Sequence, residues 1–218
     1  MTESVQLLGA DPLHWPGWSQ GSAVAIHPAV GMVPLDGAQW VVEAHMGPLS
    51  DKRERLRQLE GRGVQAVLTS SVMATLAAQN TWIRGNMHLV GFDPLLMAAA
   101  GRTQTVVGAT DDDIAWLSST WPDRTFIGAA DAVGLVFTRE ILPIINEAVD
   151  FVARGLNPKD IDVAMKLGLH YPKGPWEWAE TFGWSSVYWG LAALEDMFGP
   201  RFRPHPWIRQ KVGSALGD

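Results

Sequence analysis

Two adjacent hydroxyls, Ser70 and Ser71, close the run "QAVLTSS" at residues 65–71. At a strand end they can bind a ligand hydroxyl, or they can cap the helix expected over 72–79. Three aspartates, Asp111, Asp112 and Asp113, open another helix-like segment. There negative charge favours the positive end of the helix dipole, and a cation site is the lesser reading. His14, His27, His45, His170 and His205 share no ligand spacing. A metal site needs three or four converging donors, so no metal is expected. The chain has no cysteine, which excludes disulfides, thiolate catalysis and cysteine-ligated metals. No Ser-His-Asp arrangement, P-loop or nucleic-acid motif is present.

The elements that must position these residues fall into two rhythms. Over residues 1–130, short apolar runs at 5–10, 22–28, 39–45, 65–71, 88–93, 103–109 and 124–130 alternate with helix-like pieces at 50–62, 72–79 and 111–119. Strands alternating with helices predict a parallel α/β sheet, and nearly all-apolar strands predict cover on both faces. The charged piece at 52–62 reads as a solvated helix face with i,i+4 pairs. From 131 to 218 the rhythm is helical. Apolar residues recur three or four apart from Leu135 to Val152, with Pro143 inside predicting a kink. Four more helices follow. Their expected boundaries are Asn157 and Gly168, Pro175 and Gly183, Ser185 and Gly199, and a short last helix at 205–213. "GLHYPKGPWEWAETFG" (168–183) lies between two of these helices and reads as a helix cap, a rigid connection and an N1 proline.

The 218 residues are 47% hydrophobic and 18% charged, enough to bury a sizeable core. A net charge of −6 argues against a nucleic-acid or anionic-membrane binder. The N-terminal residues lack a basic, apolar leader pattern, and no apolar stretch is long enough to span a membrane, so a cytoplasmic protein is expected.

Five motifs of the second half carry a family resemblance: "GLVFTR" (134–139), "LPIINEA" (142–148), "DIDVA" (160–164), "GLHYPKGP" (168–175) and "RFRPHP" (201–206). Their order and spacing resemble the C-terminal helical domain of the 3-hydroxyacyl-CoA dehydrogenases. In the first half, "WVVEAHMGPLSDKRERL", "VLTSSVMATLAA" and "LVGFDP" look like elements of that family's NAD-binding domain. The implied fold class is a reduced Rossmann-like α/β domain over 1–130, followed by an all-α domain over 131–218. The resemblance also implies a homodimer formed by the helical half. Trp176, Trp178, Trp184, Trp189 and Trp207 cluster there, as in aromatic-rich interfaces.

The site residues implied by the resemblance are mixed. Glu43 and Lys52 keep the family's nine-residue spacing beside the cofactor, and Ser70 matches a family serine. The family's GxGxxG turn is not kept: Gly9 is followed by Asp11, Pro12 and Pro16, the first helix looks deleted, and His27 and Pro28 stand where an acidic residue should end the second strand. The family's catalytic His and its orienting Glu have no counterpart, while Leu68 and Thr138 replace two asparagines. The expectation is a dehydrogenase-like protein without NAD or hydride transfer, serving as a dimeric scaffold or a binder of acyl-CoA or a related small molecule. The alternative is an active NAD-dependent enzyme using His88 or Asp93 as base with Ser70, with Lys52 or Arg84 as new phosphate contacts.

Overall fold

A computed structural model describes residues 5–8, 24–27, 40–99 and 101–216. All seven expected strands form: β1 (Val5–Leu8), β2 (Val24–His27), β3 (Trp40–Glu43), β4 (Ala66–Ser70), β5 (His88–Phe92), β6 (Thr103–Val107) and β7 (Thr125–Gly128). They make one sheet in the order β2-β1-β3-β4-β5-β6-β7. β1 to β5 are parallel, but β6 pairs antiparallel with β5, and β7 parallel with β6. The all-parallel expectation is corrected there. The segment between β5 and β6 contains only α3 (Pro94–Ala98), too little for the crossover that a parallel return needs.

Strand pleating sends alternate residues to opposite faces. Val41, Val67 and Leu89 join Leu56 and Leu59 of α1 (Leu49–Gly61) in one apolar cluster. Val42, Leu68 and Val90 join a second cluster that continues into Ile141, Leu142 and Ile145 of the helical half. A single core therefore joins the sheet to the helices.

The order of helices is α1, α2 (Leu76–Asn80), α3, α4 (Asp111–Thr120), α5 (Phe137–Ala153), α6 (Pro158–Leu169), α7 (Pro175–Phe182), α8 (Trp184–Phe198) and α9 (Pro206–Leu216). Several boundaries move from expectation. α2 starts at Leu76 with Thr75 as its cap, so Ser70 and Ser71 do not cap it. α3 was not expected; Asp93 caps it by accepting from the Leu95 and Leu96 N–H groups. α5 runs as one helix through Pro143. α6 continues past Gly168 and ends at His170, which takes the left-handed conformation at φ 56°. α8 starts at Trp184 with Gly183 at its N-cap position, two residues before the expected cap at Ser185. The 168–183 stretch is capping structure: the Asp162 carboxylate accepts from the Trp176 and Glu177 N–H groups at 2.8 and 3.2 Å, and Glu177 accepts from Gly174 N at 3.0 Å.

The tryptophans assigned to a dimer face are mostly engaged within the helical half. Trp178 is buried, and Trp176, Trp184 and Trp207 pack on one another with ring centroids 4.9–5.3 Å apart.

Candidate functional site

The strand order reverses at β1, which has β2 on one side and β3 on the other. In open α/β sheets, the crevice at the carboxyl ends of strands beside such a reversal is where ligands bind. Glu43 ends β3 there, in register with Leu8 of β1.

Glu43 is turned inward. Lys52, one turn into α1, forms a salt bridge to the Glu43 carboxylate, and both side chains are fully buried. Lys52 Nζ also donates to Thr69 Oγ1 at 3.0 Å. Thr69 donates to Gln79 Oε1 at 2.7 Å, and Gln79 Nε2 donates to the Ser70 and Ala74 carbonyls at 2.9 Å each. Burial pushes the Lys52 ammonium below its usual pKa, and the Glu43 carboxylate opposes that. The chain thus ties β3, α1, β4 and α2 together through a closed polar network. Lys52, which the resemblance set apart from the solvated face of this helix, gives its donors to Glu43 and Thr69.

Ser70 and Thr138, on β4 and α5, are fully buried. The Ser70 hydroxyl faces the Met46 sulfur at 3.8 Å, so a methionine from the β3–α1 loop occupies the space beside it. The Ser71 hydroxyl has no hydrogen-bond partner, and Gly91 is required beside it because a Cβ there would collide with it. Asp93 is the interdomain tie. Its carboxylate accepts the Thr138 N–H at 3.1 Å and the Thr138 hydroxyl at 2.9 Å, in addition to its two cap bonds. Burial pushes the Asp93 carboxyl up to about 6, against the bonds from Leu96, Thr138 and Leu95.

His88 is not brought to Ser70. It begins β5, paired with Ala66, whereas Ser70 pairs with Phe92 at the other end. Four residues of strand put about 13 Å between these positions. His88 instead bonds Asp113 at 2.9 Å and meets the Trp40 ring edge-on. Burial pushes the Asp113 carboxyl up, but hydrogen bonds from Thr110 and His88 outweigh it and leave it below the usual range. Asp113 also completes a capping box with Thr110, the role expected for this acidic run. Arg84 lies after α2, where its N–H donates to Glu60 in the last turn of α1. That is the amino-terminal edge of the parallel strands, away from the crevice. His88 and Arg84 are therefore corrected as site residues by their edge of the sheet.

One residue outside the expected set is at the crevice. His45 follows Glu43 by two positions, and its N–H donates to Glu43 Oε1 at 2.9 Å. Its Nε2 is buried without a hydrogen-bond partner. Burial pushes the imidazole below 6.5, against the pull of Glu43, so the ring is neutral at pH 7. The signal available in the sequence was position alone: a polar residue just past a strand that ends at the crevice.

Next to this loop a cleft of about 350 Å³ opens between the two halves. Gly47, Met73, Ala74 and Trp82 line one side, and Trp189, Ala193 and Met197 of α8 line the other. Among the described lining residues, Thr75 and Asp196 are the hydrogen-bonding side chains apart from the tryptophans. Among the described residues, no group of three or more His, Asp or Glu is placed to hold a metal. No described helix is long and apolar enough to cross a membrane.

Residues 134–216 match the family model of the 3-hydroxyacyl-CoA dehydrogenase C-terminal domain. The 3-hydroxyadipyl-CoA dehydrogenase of Escherichia coli is 38% identical over 91 residues, which are 41% of this chain and 19% of that protein. A probable 3-hydroxybutyryl-CoA dehydrogenase of Deinococcus radiodurans is 27% identical over 205 residues, 88% of this chain and 72% of that protein. The second half of the chain thus matches the C-terminal domain of the 3-hydroxyacyl-CoA dehydrogenases. The fold of a solved structure, FadB2 of M. tuberculosis, agrees over nearly the whole length: TM-score 0.71 at 16% identity, covering 98% of this chain and 94% of that one. The (S)-3-hydroxybutyryl-CoA dehydrogenase of Ralstonia eutropha gives a TM-score of 0.65 at 16% identity, covering 99% and 95%.

The resemblance implies NAD, whose site would include Glu43 and Lys52. Glu43 and Lys52, the two residues that the resemblance set beside the cofactor, are closed on each other. Gly9, Asp11, Pro12, Pro16 and Pro28, with the expected loss of the first helix, lie outside the described residues, as does the side chain of His27.

Proposed function

We propose that this chain is a member of the 3-hydroxyacyl-CoA dehydrogenase family that binds an acyl-CoA, or a related small molecule with an apolar tail, and does not transfer hydride. The carrying observation is that the polar candidates do not converge while an apolar cleft stands beside them. Asp93 has its acceptors filled by four donors, Ser70 faces a methionine sulfur, and His88 is at the wrong edge of the sheet. A proton-transfer group must reach the reacting atom within about 3 Å or through one water. The cleft lined by Met73, Trp82, Trp189 and Met197 suits a short aliphatic chain, whose burial contributes about 0.8 kcal/mol per methylene. Titrating acetoacetyl-CoA and NADH separately against tryptophan fluorescence tests this, because Trp82 and Trp189 line the cleft. Quenching by the acyl-CoA without turnover of NADH supports it; no response to the acyl-CoA contradicts it.

A second reading is a working dehydrogenase, and His45 favours it. A neutral imidazole with a free buried nitrogen at the strand-reversal crevice is suited to move a proton.

The working unit in either reading is a homodimer. Phe151, Leu156, Val163, Leu167 and Leu169 leave an exposed apolar stripe along the end of α5 and α6, with Leu167 75% exposed. Large apolar side chains exposed together on neighbouring elements suit an interaction face.

A further inference from the structure

A second concave surface belongs to the helical half and has no part in the cleft above. Arg139, Glu140 and Pro143 of α5, with Arg201 and Phe202 of the turn after α8, line a hollow of about 240 Å³. The Arg139 guanidinium lies 4.3 Å from the centroid of the Phe198 ring, and that of Arg201 lies 4.5 Å from the Phe202 ring. Neither arginine forms an ion pair with a carboxylate among the described residues. Close by in the chain, Arg203 and Arg209 share the single carboxylate of Glu195, at 2.7 and 3.6 Å.

We propose that the Arg139–Arg201 hollow binds a phosphate-bearing small ligand. Arg139 and Arg201 line one hollow, and neither has a carboxylate partner among the described residues, so their N–H donors are open to a ligand. Each guanidinium has one face laid on an aromatic ring, which limits its freedom and leaves its N–H edge for hydrogen bonding. A planar fork of N–H donors matches phosphate oxygens two at a time, and two such forks on one hollow hold a dianion. Carboxylates share part of this chemistry, so the ligand class is decided by comparison. Glu140 in the lining sets the sign of a control, because its charge opposes any anion there.

Isothermal titration calorimetry of the whole protein at low salt, with inorganic pyrophosphate and separately with citrate, tests the assignment. The expected result is one saturable site for pyrophosphate, weakened about tenfold or more by Arg139→Gln and by Arg201→Gln. Glu140→Gln tightens it, and Arg154→Gln, at an exposed pair elsewhere, leaves it unchanged. If Arg139→Gln fails to fold, the exposed Arg201 decides, with Arg139→Lys retaining charge but not the fork. No saturable binding up to millimolar pyrophosphate overturns the proposal. So does an equal loss on Arg154→Gln, which reports bulk charge only, or tighter binding of citrate at the same two arginines. Neither arginine lines the interdomain cleft, so loss on Arg139→Gln and Arg201→Gln separates this site from whatever occupies that cleft.

Discussion

Asp93 at the cap of α3 and Thr138 in the first turn of α5 are joined by a buried carboxylate that accepts both the N–H and the hydroxyl of Thr138. This contact fixes the entry of the helical half on the carboxyl end of β5. Thr138→Val removes the hydroxyl and keeps the N–H. It should cost about 1–3 kcal/mol of stability, read from the urea midpoint, because a buried carboxylate loses one donor.

The same carboxyl gives the protein a pH dependence. Its folded pKa, raised to about 6, means that the folded state holds a proton that the unfolded chain releases near 4. Stability from this group is complete below pH 4 and is lost as pH rises through 6, a decline of about 3 kcal/mol. Asp93→Asn should remove this part of the slope. Equal slopes for wild type and Asp93→Asn in denaturation curves between pH 4 and 7 would count against the assignment.

Lys52 and Glu43 make a pair that is strong only as a pair. Lys52→Met leaves a fully buried carboxylate without its cation and should cost about 3–5 kcal/mol. Lys52→Met combined with Glu43→Gln should recover much of the loss. A single substitution with an unchanged melting temperature would show that Lys52 reaches water.

Cleft occupancy has a steric test. Ala193 of α8 lines the apolar cleft, and Ala193→Trp should fill it. Affinity for an acyl-CoA, followed by fluorescence, should fall at least tenfold (about 1.4 kcal/mol). Wild-type affinity in that variant would place the acyl group elsewhere.

For the apolar stripe, Leu167→Lys should shift the protein from dimer to monomer in light scattering. Leu167 is exposed in the single chain, so its substitution leaves the fold intact. A monomeric wild type would remove the stripe as an interface.

The fold was largely legible because strands covered on both faces must be apolar, and Val41, Val67, Val90 and their neighbours are. The direction of β6 was not, since apolar content carries no polarity. α3 escaped notice because five residues give no helical period; Asp93-Pro94, a cap and an N1 proline, was its one trace. Ser70 and Thr138 were readable as positions but not as environments, for their burial depends on Met46 and Asp93 arriving from distant segments. His88 was legible as the first residue of its strand, and that position alone sets it at the edge opposite Ser70.

The most direct test of the central claim follows NADH absorbance and tryptophan fluorescence together while acetoacetyl-CoA is added to the protein. The account predicts saturable quenching with NADH unconsumed, and no change on His45→Gln. NADH oxidation that His45→Gln abolishes would contradict it and establish a dehydrogenase with His45 as its proton-transfer residue.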